Sequence, residues 1–278
     1  MNWVFLGDSL TEGVGSKRIS YVTELVTQIR SAKRDVNVHE LRLRHVDPHG
    51  FNRFIEVNVA GKIDIDQNQH SSDLWLWNLA REGQTIETDL AWLPLIGTLR
   101  PELVVIFRGS LESIIRPATL HEGTWPWWVP ASWRGYAAMD PRCYFSTTWW
   151  RKAKQQFVDT TKQRVRLSLL TRGAGKPLMG LDLFTSHLTT LLRRLHVLNT
   201  RVLVLGLLPV SETRFPNSPA HFASVNAKLQ EIANTEGAEF FDWGSALKVS
   251  GDELFYRDGF HPNLAGARAL AEILHSHL

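Results

Sequence analysis

The sequence predicts an α/β fold in which a mostly parallel five-stranded sheet lies between two layers of helices, with a lid inserted at about residues 110–183. Three observations lead there. Short apolar runs alternate with segments whose apolar residues recur at helical spacing. The run "RVLVLGLLP" is apolar throughout, as strands buried on both faces of a parallel sheet are. The alternation stops after Gly109 and resumes near Leu183. A chain of 278 residues has room for one large domain carrying one sizeable insertion.

The elements follow in order. Residues 2–6 (NWVFL) form a short apolar strand ended by Gly7, and Ile19, Val22, Leu25, Val26 and Ile29 then mark a helical face. Residues 36–46 and 53–63 alternate loosely on either side of "DPHG" and predict extended segments, with the second strand among them. "LWLWNLAREG" reads as a strand running into a loop at Gly83, and "TIETDLAWLPLIGTL" as a helix that Pro94 kinks or ends. "PELVVIFRG" is a compact strand closed by Gly109. Leu188, Leu191, Leu192, Leu195 and Leu198 share one helical face, and "RVLVLGLLP" is the strand that follows. A helix from Pro219, the strand "AEFFDW" and a last helix from Asn263 complete the chain. Parallel sheets of this kind place ligands beyond the carboxyl ends of their strands, so the loops there are where chemistry is sought.

The insertion holds six of the eleven tryptophans: Trp125, Trp127, Trp128, Trp133, Trp149 and Trp150. After them residues 151–176 carry eight basic side chains against one acid, Asp159, and predict a basic amphipathic helix. A solvated helix face accounts for these charges more simply than a phosphate-bearing ligand does. The indoles fit equally the stacking of sugar rings and the packing of a lid.

Composition excludes several classes. With 44% apolar residues the chain is neither disordered nor collagen-like, and no apolar run is long enough to cross a bilayer. The start, MNWVFLGDS, has no basic leader and no small-residue cleavage site, so a cytoplasmic location is expected. A net charge of +3 and basic residues clustered in one segment, without a known module, predict no nucleic-acid partner. Cys143 is the single cysteine, and the histidines, His45 and His49 included, show no metal spacing, so neither metal nor cofactor is expected. "RGAGKP" and "EGVGSKR" each lack residues that a phosphate or dinucleotide loop requires. Oligomeric state is left open.

Three residues could act together. Ser9 follows a strand and precedes a helix, whose N-terminal N–H groups favour developing negative charge. A serine hydroxyl is a poor nucleophile without a base, and the base needs a third group to hold its tautomer. "YRDGFHPN" offers both, with Asp258 and His261 three residues apart in a turn before the last helix.

With these residues the sequence resembles the GDSL, or SGNH, hydrolase family. "GDSLTEG" at 7–13 is similar to its nucleophile block, "NLAREG" at 78–83 to its second block, and "DGFHPN" at 258–263 to its Asp-x-x-His block. The resemblance implies a flavodoxin-like three-layer fold, with Ser9 as nucleophile, His261 as general base and Asp258 as its orienter. It also implies oxyanion donation by the backbone N–H groups of Ser9 and Gly83. The third block, Gly-x-Asn-Asp in the family, aligns with "GSLE" at 109–112 and puts Leu111 where an asparagine amide should stand. Loss of one such donor costs roughly a hundred- to a thousand-fold in rate. Three readings of the gap stay open: Arg108, Ser110 or a group from the insertion replaces the donor; the acyl group passes to an alcohol other than water; or the site belongs to a saccharide- or protein-binding module. The presence of Ser9, Asp258 and His261 favours the first two. The expectation is an esterase for a saccharide O-acetyl or other small acyl ester, with an O-acyltransferase as the alternative.

Overall fold

The computed structural model describes residues 1–13, 19–31, 36–40, 74–118, 126–130, 148–172, 175–247, 253–256 and 258–278. Five parallel strands run through the sheet, β1 (Asn2–Gly7), β3 (Leu74–Asn78), β4 (Leu103–Phe107), β7 (Arg201–Leu205) and β8 (Glu239–Phe241), with β8 at one edge. A further parallel strand, β2 (Val36–Glu40), pairs with β3 at the other edge, giving the order β2-β3-β1-β4-β7-β8. The extended segment expected at 53–63 lies outside the described residues. Every pairing in this sheet is parallel, and Gly7 stands beside Phe107 in the β1/β4 register. The chain leaves β1 toward β2 and leaves β4 toward β7. The loops after β1 and β4 therefore part at a switch point, where an open α/β sheet forms its crevice.

Helices cover both faces. The helix α2 (Tyr21–Ser31) packs on the last helix, α9 (Leu264–His277), while α3 (Ile86–Leu99), α6 (Leu181–Val197) and α7 (Ser218–Thr235) pack in succession on the other side. The stripes read for α2 and α6 are buried, Leu188, Leu191, Leu192 and Leu195 of α6 being inaccessible, except that Leu198 caps the end of α6 and is exposed there. Pro94 does not end α3, which runs on to Leu99. Thr98 Oγ1 donates to the Pro94 carbonyl at 3.0 Å.

Short helices fill the loops: α1 (Ser9–Glu12), α4 (Ser110–Ser113) and α8 (Trp243–Ala246). In the insertion, the two-residue strands β5 (Arg116–Pro117) and β6 (Gly175–Lys176) pair antiparallel, and α5 (Trp149–Arg172) is the expected basic helix. Its inward face differs from the sequence reading, because the residues it buries include Asp159 and Arg166. Arg166 donates to the Ile115 carbonyl at 3.1 Å and lies 5.0 Å over the Phe215 ring, which is how a charged face can pack.

The nucleophile turn is built tightly. The Thr11 side chain sits over Gly7, so that a Cβ at Gly7 would run into Thr11 Oγ1 and Cβ. Thr11 Oγ1 is itself bonded to the Tyr21 hydroxyl at 3.1 Å, and the Tyr21 ring meets Trp243 edge-on at 4.8 Å. Gly7→Ala is thus expected to displace α1 and cost about 1–3 kcal/mol of stability, read as a lower urea midpoint together with lost activity.

Candidate active site

Asp8 starts α1 as its N-cap, its Oδ1 accepting from the Leu10 amide at 2.9 Å. This puts Ser9 at the first helical position. Gly13 closes the turn at φ 81°, its N–H donating to the Ser9 carbonyl at 3.1 Å, and a Cβ there would press on the Ile19 backbone. Asn78, at the end of β3, fastens its own loop to the turn: Nδ2 donates to the Thr11 carbonyl at 3.1 Å, and Oδ1 accepts from the Ala80 amide at 3.1 Å.

The other half of the site comes from the far end of the chain. Asp258 Oδ1 accepts from the amides of Phe260 and His261 at 2.9 and 3.0 Å, an Asx turn that fixes its carboxylate. Gly259 takes φ 65° within this turn, and the backbone of Tyr256 bonds across it to His261 and Gly259. Asn263 caps α9 by accepting from Gly266 at 3.0 Å, so the segment is anchored immediately after His261.

These two halves meet. His261 Nδ1 lies 2.7 Å from Asp258 Oδ2, and His261 Nε2 lies 2.9 Å from Ser9 Oγ across 252 residues of sequence. Asp258 is buried, while the His261 and Ser9 side chains keep limited access. Burial opposes the Asp258 charge, but the hydrogen bond from His261 and that ring's charge outweigh it and hold the carboxyl below the usual range. A carboxylate on Nδ1 leaves the Nε2 lone pair facing Ser9, the orientation needed to accept its proton. A cavity of about 10 Å³, room for about one water, opens beside Ser9, His261, Gly13, Tyr21 and Leu270.

Gly83 lies in the loop between β3 and α3 with φ 78°, and a Cβ built there would meet nothing within 4 Å. Arg108 differs from the oxyanion-donor reading. Its guanidinium is fully buried and is taken by Asp89 at 2.5 and 2.6 Å and by the Gln84 carbonyl at 2.7 Å. A buried cation is tolerated only when paired, and the pairing commits these donors elsewhere. Ser110 Oγ is buried at the start of α4 without a hydrogen-bond partner among the described residues. Among the described residues no cluster of His, Cys, Asp and Glu is arranged to hold a metal, and no helix is long and apolar enough to cross a membrane.

Glu112 has no role in the sequence reading, although its place three residues after Gly109 is capping-box spacing. Fully buried, it accepts from the Ile86 amide at 2.9 Å and the Gly109 amide at 3.1 Å. Burial pushes the carboxyls of Asp8, Asp89 and Glu112 up against the pull of Arg108, that of Glu112 to about 7. A carboxyl raised in the folded state stabilises fully below its unfolded value of 4.5 and loses that contribution as pH climbs to about 7. The stability of the wild type relative to Glu112→Gln is therefore expected to fall between about pH 5 and pH 7, as urea midpoints at the two values would read.

The model of the GDSL-like Lipase/Acylhydrolase family matches residues 5–269. The chain belongs to this family. A search of curated proteins finds no match. Similar folds among solved structures include a lipase/acylhydrolase from Enterococcus faecalis, with TM-score 0.54, 14% identity, and coverage of 100% of this chain and 95% of that one. An acetyl xylan esterase superposes with TM-score 0.55 at 13% identity over 100% of both chains. An acetylxylan esterase from Geobacillus stearothermophilus gives TM-score 0.53 at 14% identity, covering 98% of this chain and 91% of that one. The family fold is thus kept at very low sequence identity.

Proposed function

We propose that the protein hydrolyses a small acyl ester of a saccharide through a covalent intermediate on Ser9. The observation that carries this reading is the continuous hydrogen-bonded line from Asp258 through His261 to Ser9 Oγ, at 2.7 and 2.9 Å. In the first step His261 Nε2 takes the hydroxyl proton as Ser9 Oγ bonds to the ester carbonyl carbon. The carbonyl oxygen becomes an oxyanion, met by the backbone N–H groups of Ser9 and Gly83, with the buried, unpartnered Ser110 hydroxyl as the side-chain candidate for the third donor. Collapse breaks the bond to the leaving alcohol, which takes the proton from His261. Water then repeats the sequence on the acyl-serine, giving the acid and restoring Ser9.

Two observations support a small acyl group on a sugar. On the insertion Trp127, Trp128, Trp149 and Trp150 are exposed rather than packed, as indoles that stack on sugar rings are; Trp125 and Trp133 lie outside the described residues. Among proteins of similar fold, two are acetylxylan esterases, which agrees with that substrate class.

The test offers acetylated xylo-oligosaccharide and p-nitrophenyl esters of rising chain length, with and without a free sugar acceptor. Release of acetate that does not need the acceptor is expected, with rates falling beyond short acyl chains. Product formed only with acceptor would replace hydrolysis by acyl transfer. No turnover and no reaction with a fluorophosphonate would leave a binding module.

A further inference from the structure

The loop that carries Gly83 is bound on both sides. Toward the nucleophile, the Arg81 amide donates to the Gly7 carbonyl at 3.3 Å and the Glu82 amide to the Glu12 carboxylate at 2.5 Å. Toward β4, the Gln84 carbonyl accepts from Arg108 Nη1 at 2.7 Å, and the Ile86 amide donates to Glu112 Oε1 at 2.9 Å. The Gln84 amide closes the turn onto the Arg81 carbonyl at 3.2 Å. Between these fixed points the Gly83 N–H takes no partner among the described residues, and a Cβ built there would meet nothing within 4 Å.

We propose that Arg108 and Glu112 are positioning residues that hold the Gly83 amide in place for the oxyanion formed at Ser9. The proposal rests on the acyl-serine reading above. Glu112 does more than fill space: Thr85, the N-cap of α3, makes no side-chain cap bond, and Glu112 satisfies the Ile86 amide from another element. Its second oxygen accepts from the Gly109 amide at 3.1 Å, so one carboxylate joins the turn after β4 to the first turn of α3. Asp89, further along α3, grips Arg108 by two bonds and aims its third at the Gln84 carbonyl.

Buried ions are a poor way to gain stability, since apolar side chains of similar volume often do as well or better. Such side chains could not, however, hold a particular carbonyl and a particular amide of a loop. Oxyanion donors act only at about 2.7–3.1 Å from the developing charge, so a small drift of the loop weakens them. Leu111 has no side-chain amide to share this work, which leaves more of it to Gly83. Arg108 thus reaches the oxyanion through the loop it holds rather than by its own donors.

Glu112→Gln and Arg108→Lys test this. The first keeps the shape but sets an NH₂ against one of the two amides. The second keeps a charge opposite Asp89 but loses the three-way fork, and it reads the same step if the Glu112 variant does not fold. Turnover is counted per site titrated by a fluorophosphonate, so that misfolded protein drops out. For each folded variant, kcat is expected to fall roughly ten- to a hundred-fold with KM within about threefold. Affinity for a trifluoromethyl ketone, which forms an oxyanion on Ser9, should fall by the same factor as kcat/KM. Wild-type kcat per site in the folded variants, or a loss confined to KM, would overturn the proposal while leaving acyl-serine chemistry intact. A wild type that turns over no ester and takes no fluorophosphonate would instead defeat the functional reading itself.

Discussion

Ser9→Ala is expected to lower kcat for ester hydrolysis by at least about ten-thousand-fold and to leave thermal stability nearly unchanged. Removal of a catalytic serine leaves only what binding and oxyanion stabilisation supply, and in serine hydrolases that remnant is a small part of the whole. Stability should survive because Ser9 does not cap α1; Asp8 does, through its bond from Leu10. The lost hydroxyl has His261 Nε2 as its hydrogen-bond partner, at a position His261 also presents to the site. Steady-state kinetics and a melting curve on the same preparation check both halves. A comparable loss in both would mark Ser9 as structural.

Asp258→Asn is expected to cost about ten-thousand-fold at neutral pH, by a different route. Asn keeps an oxygen for the amides of Phe260 and His261, so the Asx turn persists. Its NH₂ then faces His261 Nδ1, which must become an acceptor, and the ring proton moves to Nε2. In that tautomer the imidazole donates to Ser9 Oγ and cannot take its proton. Stability carries an independent signature. The carboxyl of Asp258 is depressed in the folded protein, so its contribution is present above its unfolded value and is lost as pH falls through the folded one. The wild type should exceed Asp258→Asn in urea midpoint at neutral pH, and the difference should narrow below about pH 4.

The parts of this site that are legible in the sequence are those whose geometry is local. Asp258 and His261 share one turn, and Ser9 sits at a strand end with its cap one residue away, so a short pattern carries each. Their meeting across 252 residues is not local, and it follows from the sheet, because parallel strands bring the loops at their carboxyl ends to one end of it. The apolar runs that define those strands are visible for the same reason: strands buried on both faces leave few polar positions.

Arg108 and Glu112 are a different case. An arginine after a strand reads as a free donor, and only the fold sets it against Asp89, 19 residues earlier, and sets Glu112 against Ile86, 26 residues earlier. No periodicity reports a contact between the first turn of one helix and the turn before another. The paired strands β5 and β6 escape notice because two residues are too few to alternate. The insertion helix reads as an ordinary solvated amphipath, whereas it buries Asp159 and Arg166, the latter donating to the Ile115 carbonyl from elsewhere in the chain.

The central claim is that an imidazole near the end of the chain activates Ser9. Its most direct test is the intact mass and peptide map of the protein after brief exposure to a fluorophosphonate. One adduct per chain, located on Ser9 and formed far more slowly in His261→Gln, is the predicted result. Folded protein that takes no adduct, or one whose labelling at Ser9 proceeds as fast without the imidazole, would contradict it.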